Sequence, residues 1–314
     1  MKNQRTITIL TIIIAILSAF ATLTGILSGN MQDTHARSGI HSAGAQGNQT
    51  HTPAHPGDRQ DTYTHTSIRG QEVEIYGRGI YRHMSADVAI QGIAQDYVTL
   101  FAGIPLLVAG LLLSRRRNRR GRFLLAGTSM YFFVTYLFYL TMGMYNALFL
   151  VYAALLSCSF LHLLLVLLSF NQDELPGIFD RNTPVTFAGS FLLANVIAIS
   201  LLWLSVVVPP LLDGTIYPPS LQHYTTLIVQ GLDLGLLLPA GFVAAILLLR
   251  RHPMGLLAGT TYLGFLSLLM AALLAKLTGM ALTGVSVIPA IFIIPVLWIL
   301  ATTSFIRVLG HVRR

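Results

Sequence analysis

Eight stretches of this sequence are long and apolar enough to cross a lipid bilayer. A hydrocarbon core about 30 Å thick requires about 20 residues of α-helix. The stretches cover residues 7–27, 98–113, 123–142, 147–170, 185–208, 226–249, 254–277 and 287–309. The mean hydropathy of +0.67 and the charged fraction of 10% agree with this pattern. The sequence therefore predicts an all-α fold, a polytopic transmembrane helix bundle of about eight spans surrounded by the lipid bilayer.

The basic residues fall in alternate connections between these stretches. If eight spans alternate in direction, one side of the membrane carries 14 of the 20 Lys and Arg residues, six of them within Arg115–Arg122. Lys and Arg accumulate on the cytoplasmic side of membrane proteins. We therefore expect both termini in the cytoplasm. The arginine run is interpreted as a topological anchor, so we expect no nucleic-acid partner in spite of the net charge of +8.

The first 29 residues allow two interpretations. A basic start, an apolar run and the small-residue triplet Ala19-Phe20-Ala21 fit a signal peptide. The apolar run continues to Leu27, which favours a membrane anchor that stays in the protein.

Residues 30–69 have a different composition, rich in Gly, Ser, Thr, Gln, His and Pro. Such a segment cannot bury enough apolar surface to offset its ordering entropy, so we expect a disordered external tether. It contains five histidines at irregular intervals and no cysteine, which predicts no dedicated metal site; weak capture of Zn²⁺ or Cu²⁺ is the alternative. Residues 70–85 include Val73, Ile75 and Tyr76 before Gly77 and Gly79, and they predict a small external cap. Residues 86–314 then form a seven-span bundle.

Two parts of the bundle resemble each other. The second span contains Asp96 and Pro105 and the sixth contains Asp233 and Pro239, and each is followed by arginines, by Leu-Leu-Ala-Gly-Thr and by a tyrosine. An internal duplication is one interpretation, because parallel repeats recur among transporter folds. The alternative is a chance likeness between apolar helices.

Ionisable residues inside the spans are the best pointers to function, because a charge in hydrocarbon must be paired or hydrated. Polar residues at helical spacing accompany both carboxylates, and a tyrosine and an asparagine lie near the outer end of the third span. The candidate ligand-binding residues are Gln95, Asp96, Tyr139, Asn146, Gln230, Asp233 and Lys276. We expect them to line an outward-facing pocket. The alternative is that Asp233 is a structural partner of Lys276 or Gln95.

No catalytic residue, metal site or cofactor is predicted, since the sequence has no recognisable catalytic or nucleotide-binding motif. His162 is the one histidine inside a span, and we expect it to hydrogen bond to a neighbouring helix. Cys158 is the one cysteine, so no disulfide forms within the chain. Nothing in the sequence indicates an oligomeric state.

Four short segments resemble a group of bacterial multi-pass integral membrane proteins to which no activity is assigned. The segments are Tyr76–Arg82 (YGRGIYR), Gln95–Leu100 (QDYVTL), Tyr145–Tyr152 (YNALFLVY) and Leu232–Gly235 (LDLG). The similarity covers the chain from about Tyr76 onward. It implies a bacterial inner (cytoplasmic) membrane location.

These observations favour a protein that binds or transports a small polar or cationic solute, and they do not favour an enzyme. Two alternatives stay open. One is a sensory or complex-assembly component that binds a partner through its outer cap. The other is a lipid-acting membrane enzyme that uses His162 and Asp233, which the different depths of these two residues make the weakest hypothesis.

Overall fold

The protein is described by a computed structural model that covers residues 3–28 and 62–313. Eight of its helices are long and apolar enough to cross a membrane, which confirms the prediction of an all-α bundle of about eight spans. In chain order the spans are Gln4–Leu27, Ala86–Arg115, Arg119–Met142, Phe149–Leu168, Val185–Leu212, Ile228–Leu249, Pro253–Leu282 and Ala290–Gly310. Most of the predicted tether, residues 30–61, lies outside the described residues.

The spans form two units of four helices. In the first unit the first span packs against the second and the fourth, and the third packs between the second and the fourth. In the second unit the fifth span packs against the sixth and the eighth, and the seventh packs between the sixth and the eighth. Each unit is thus a closed ring of four antiparallel neighbours, and the two rings have the same order.

The third and seventh spans pack against each other and join the two units. Each of them also contacts a second span of the opposite unit. The seventh span packs against the second, and the third packs against the start of the sixth. At the central crossing, a Cβ on Gly127 would lie 2.9 Å from Gly264 Cα, so the two backbones are in direct contact. Small residues allow such close approach of membrane helices. The contacts are reciprocal, as expected for parallel repeats about an axis along the membrane normal.

The turns after the second and sixth spans have the same conformation. Arg117 (φ 60°) and Arg251 (φ 53°) both adopt the left-handed region. The following residues, Asn118 and His252, are N-caps whose side chains accept a hydrogen bond from the backbone N–H two residues later. The close approach of Gly121 to the preceding helix is repeated at Gly255. The duplicated hairpin is therefore visible in the backbone itself.

Both hairpins also carry a π-helical turn ahead of a proline. Thr99–Gly103 precedes Pro105, and Asp233–Leu237 precedes Pro239. A proline lacks the N–H that would close the preceding turn, and a widened turn accommodates its ring. The two π-helical turns are as far apart in the sequence as the two arginine turns. When the hairpins are aligned by these turns, Leu124 corresponds to Ala258. The repeated Leu-Leu-Ala-Gly-Thr segments are therefore two residues out of step with this structural alignment.

We call the end of the bundle that carries the two arginine turns the arginine end, and the opposite end the cap end. At the cap end, strands β1 (Thr62–Thr66) and β2 (Glu72–Tyr76) form an antiparallel hairpin, with Thr64 opposite Glu74. A short 3₁₀ helix, Gly79–Tyr81, follows. The predicted cap exists, but it begins at Thr62, so the prediction that residues 62–69 belong to the tether is wrong. β1 lacks aliphatic residues because it is largely exposed and only β2 buries Val73 and Ile75.

The connection between the fifth and sixth spans, residues 213–227, lies against this hairpin and contains the 3₁₀ helix Pro219–Leu221. The Arg69 guanidinium donates to the carbonyl oxygens of Gln222 (2.9 Å) and Tyr224 (2.6 Å). Ser85 begins the second span, and its backbone N–H donates to the Tyr224 hydroxyl; its own hydroxyl also faces Tyr224 and makes no capping bond. We call residues 62–85 and 213–227 together the cap layer. It joins the two units at the cap end.

Arginines join the helix ends at the arginine end. Arg120 donates to the carbonyl oxygens of Gly310 and Val312, and Arg251 donates to that of Thr183. Arg122 donates to the Ser169 carbonyl oxygen at the end of the fourth span. Arg120 and Arg122 thereby satisfy carbonyl groups that helix C-termini leave unpaired and place positive charge at the negative end of the helix dipole. Arg251 instead binds the segment that leads into the fifth span. The short helices Gln172–Glu174 and Leu175–Ile178 lie beside them.

The first span packs as a full member of the first unit. Residues along one stripe, Ile7, Thr11, Ile14, Ser18 and Ala21, are at most 3% exposed. The first span therefore contributes one of its faces to the interior of the first unit.

The glycine crossing yields a stability prediction. Gly127→Val should lower the free energy of unfolding by about 1–3 kcal/mol, because its side chain overlaps the seventh span. Gly231→Val is the matched control, since a Cβ there meets no heavy atom within 4 Å. Thermal melts in detergent measure both, and equal melting temperatures for the two variants would contradict the crossing.

Candidate functional site

The Asp96 carboxylate is the most deeply buried acid of the described chain. Its side chain is 2% exposed and lies in the second span, one turn from the π-helical segment on the side of the cap end. The Tyr81 hydroxyl donates to Oδ2 at 2.6 Å and the Tyr139 hydroxyl donates to Oδ1 at 2.9 Å. Both donors are neutral, so the partners that hold this carboxylate do not supply a compensating charge.

Glycines make room for this arrangement. A Cβ on Gly25 of the first span would fall 1.9 Å from Asp96 Oδ2, so the carboxylate occupies the space that a side chain would fill. A Cβ on Gly92 would fall 2.4 Å from the Tyr81 ring, which lies over that backbone. Tyr81 comes from the cap layer and is 5% exposed, and it covers Asp96 from the cap end.

Other polar groups of the first unit surround this pair. Gln95 Nε2 donates to the Tyr131 hydroxyl at 2.8 Å, while Gln95 Oε1 is buried with no hydrogen-bond partner among the described residues. The hydroxyls of Ser18 on the first span and Tyr136 on the third are also buried, and they interact with each other. Buried polar atoms are nearly always paired with protein or water, so Gln95 Oε1 is an acceptor that a donor from another molecule can satisfy.

Tyr139 and Asn146 belong to the same part of the molecule. Tyr139 stands beside Asp96, to which its hydroxyl donates. Asn146 Nδ2 donates to the Ile80 carbonyl oxygen at 3.2 Å, and its Oδ1 accepts from the Leu148 N–H. Asn146 therefore fastens the connection between the third and fourth spans to the cap and holds Tyr81 in place.

Asp233 occupies a separate position in the second unit. Its Oδ2 accepts a hydrogen bond from Trp203 Nε1 of the fifth span at 2.8 Å. Lys276 of the seventh span adds an electrostatic attraction. Gln230, one turn before Asp233, is half-buried. The hydrogen-bond partners of Asp233 and Asp96 do not overlap, so the structure divides the predicted site into one group around Asp96 and one around Asp233.

His162 links three spans of the first unit, as expected for a lone histidine in a bundle. Its Nε2 lies 2.8 Å from the Thr11 hydroxyl and its Nδ1 lies 2.8 Å from the Ser129 hydroxyl. Both hydroxyls are also within hydrogen-bond distance of a backbone carbonyl one turn earlier. Since a neutral imidazole has one N–H, one of the two hydroxyls must donate to the ring.

Two important partners were not predicted from the sequence. Tyr81 was placed in the cap, but nothing in its spacing pairs it with Asp96. Trp203 lies in mid-span and reads as an ordinary apolar residue. Their hydrogen bonds join residues 15 and 30 positions apart, on different helical elements. A mid-span tryptophan, whose indole N–H needs an acceptor in hydrocarbon, is the signal that was available.

Two apolar grooves open on the flanks of the bundle. One of about 670 Å³ lies between the third, fourth, sixth and seventh spans and reaches the polar residues Asn171, Gln172 and Asp173 at the arginine end. One of about 410 Å³ lies between the fifth and sixth spans beside Pro239. Neither is lined by the predicted site residues. In the described part of the chain, no group of three or more His, Cys, Asp or Glu residues is arranged to hold a metal ion.

The fold and these buried polar clusters define a multi-pass α-helical membrane protein. No family model matches the chain, and no curated protein or solved structure is significantly similar to it.

The Tyr81–Asp96 bond predicts sensitivity to alkaline pH. Burial, and next the Asp96 carboxylate, raise the pKa of Tyr81 well above its ordinary value. The folded state therefore retains this proton where the unfolded chain loses it. The resulting stability is complete below about pH 10 and is lost as the pH rises toward the folded-state value. Melting temperatures between pH 8 and 11 should fall less steeply for Tyr81→Phe than for the native chain.

At neutral pH, Tyr81→Phe should cost roughly 1–3 kcal/mol of stability, the usual cost of leaving a buried acceptor such as Asp96 Oδ2 without its donor. Tyr145→Phe is the control, because Tyr145 is 83% exposed. An identical alkaline profile for Tyr81→Phe and the native chain would show that this hydroxyl does not hold Asp96.

The Asp233 group yields a double-mutant prediction. Asp233→Asn keeps an acceptor for Trp203 but removes the charge that attracts Lys276. We expect each of Asp233→Asn and Lys276→Met to lower the melting temperature, and the double variant to recover a coupling energy on the order of 1 kcal/mol. Strictly additive losses would show that the two charges do not stabilise each other.

Proposed function

We propose that this protein binds a small polar or cationic solute at Asp96, inside the first unit, and that the cap layer covers the site. The observation that carries the proposal is the buried Asp96 carboxylate, whose partners are neutral tyrosine hydroxyls. A carboxyl group that is buried without a compensating charge is costly to ionise, and a bound cation would offset that cost.

The surrounding atoms suit a solute with hydrogen-bond donors. Gln95 Oε1 is an acceptor without a donor among the described residues, and the Ser18 and Tyr136 hydroxyls can each donate and accept. They belong to the first, second and third spans, which pack around Asp96. Aromatic rings of Tyr136, Tyr139 and Tyr152 lie within 6.3 Å of one another, and such faces attract organic cations. A small ammonium compound therefore matches both the negative charge of an ionised Asp96 and the aromatic rings near it.

Access to Asp96 requires movement of the cap. Tyr81 lies between the carboxylate and the cap end, and the Asn146 amide holds the neighbouring Ile80 carbonyl. In this proposal the chain acts as a binding protein or as the solute-binding part of a transporter, with Tyr81 as the lid residue.

The test is ligand-dependent stabilisation of the purified full chain. A panel of small ammonium compounds, amino acids and alkali-metal ions is screened by thermal shift. A ligand at 100 times its dissociation constant stabilises the folded state by about 2.7 kcal/mol. Asp96→Asn should remove that shift while keeping the fold, because the amide retains most of the hydrogen bonding. Asp87→Asn, at the start of the same helix, is the control; a shift that survives in Asp96→Asn would contradict the proposal.

A second candidate is a sensory or assembly component that binds a partner through the cap layer. The observation in its favour is that the cap is ordered and contacts both units through Arg69 and Tyr224. A partner bound there would reach both halves of the bundle. The lipid-acting enzyme is less favoured, because the hydrogen-bond partners of His162 lie in the first unit and those of Asp233 in the second.

We also propose a bacterial inner-membrane location with the arginine end in the cytoplasm, as the positive-inside rule favours. Single cysteines at Asn118 and Thr225, in a Cys158→Ser background, test the orientation in intact cells. A membrane-impermeant maleimide should label Thr225→Cys directly and Asn118→Cys only after permeabilisation. The reverse labelling pattern would show that the cap end, and not the arginine end, faces the cytoplasm.

A further inference from the structure

Two histidine rings meet in the cap layer. His65 lies on β1 and His223 lies in the connection between the fifth and sixth spans. Their ring centroids are 6.5 Å apart and the rings are nearly perpendicular. The pair therefore sits at the seam where the hairpin touches a loop of the second unit.

The hydrogen bonding of His223 fixes its tautomer. Its Nε2 lies 3.0 Å from the His83 carbonyl oxygen, which can only accept, so Nε2 carries the proton. In the neutral ring Nδ1 is then a lone-pair acceptor. Nδ1 is buried and has no hydrogen-bond partner among the described residues. A buried acceptor without a donor is unfavourable, and a bound cation would satisfy it.

This is the arrangement that metal-binding histidines adopt. A ligating histidine usually donates its other ring N–H to a carboxylate or backbone carbonyl, which orients the ring and raises its basicity. For His223 the His83 carbonyl performs that task. The remaining nitrogen has the electron pair that a cation needs.

We propose that His65 and His223 form a two-histidine site for a divalent late transition-metal ion, Zn²⁺ or Cu²⁺. Imidazole nitrogens suit these ions, whereas Mg²⁺ and Ca²⁺ prefer oxygen ligands. With Zn–N bonds of about 2.0–2.1 Å, two rings on one tetrahedral ion have centroids roughly 5 Å apart. His65 is exposed, so a side-chain rotation can close the difference. Water supplies the remaining ligands.

The neighbouring charges nearly balance. Asp87 and Arg69 are the charged side chains that act on the His223 ring besides His65. The Arg69 guanidinium is held by the Gln222 and Tyr224 carbonyl oxygens, and the Asp87 carboxylate offsets its repulsion. A bound ion would cross-link β1 to the loop of the second unit and stiffen the cap layer.

The experiment measures the melting temperature of the full chain against Zn²⁺ and Cu²⁺, with Mg²⁺ as the reference ion. His65→Phe keeps the ring contact with His223 and removes the ligand nitrogens; His65→Gln is a second variant that is smaller and polar. His55→Phe is the matched control, because it removes a histidine from the preceding His-rich segment.

We expect Zn²⁺ to stabilise the native chain and His55→Phe equally, and both His65 variants to need at least ten times more Zn²⁺ for the same shift. Native-like melting of the His65 variants without metal checks their fold. The proposed site would be ruled out if Zn²⁺ did not raise the melting temperature of the native chain. It would also be ruled out if both His65 variants showed the same Zn²⁺-dependent rise as the native chain.

Discussion

The hydrocarbon of the bilayer offers no hydrogen-bond partners, and this constraint governs where each polar side chain of the bundle lies. Asp96 is tolerated because two tyrosine hydroxyls reach it, and His162 because the Thr11 and Ser129 hydroxyls flank it. Each of these two groups of hydrogen bonds is formed by side chains from several helical elements. The first unit is therefore held together by polar contacts at two depths, and its first span is needed at both, through Thr11 and through Gly25.

The two units share a backbone plan but differ in their polar chemistry. Both hairpins have a π-helical turn, a following proline and the same arginine turn. The acid precedes the π-turn in one and begins it in the other, so Asp96 and Asp233 are not equivalent positions. Asp96 accepts hydrogen bonds from two tyrosine hydroxyls, whereas Asp233 accepts one from Trp203. The two units thus share their helix packing, which depends on small residues and turns, but differ in their interior polar side chains.

The sequence predicted what depends on composition and local pattern. Hydropathy located the spans, the arginines indicated the turns, and intramembrane charge singled out Asp96 and Asp233. Sequence reasoning did not find what depends on three-dimensional neighbours. β1 was missed because its Thr, Tyr and His residues are largely exposed and include no aliphatic side chain. The likeness of the two hairpins suggested one shared pocket, whereas helix packing places their carboxylates in separate units.

The cap layer connects the buried carboxylate to both units. Tyr81 covers Asp96, and Arg69 and Ser85 bind the loop that leads into the sixth span. A displacement of the second unit relative to the first therefore acts on the segment that carries Tyr81. At the crossing of Gly127 and Gly264 the backbones of the two units are in direct contact. In the proposed function, the cap layer is therefore the part that links the position of the second unit to the cover over Asp96.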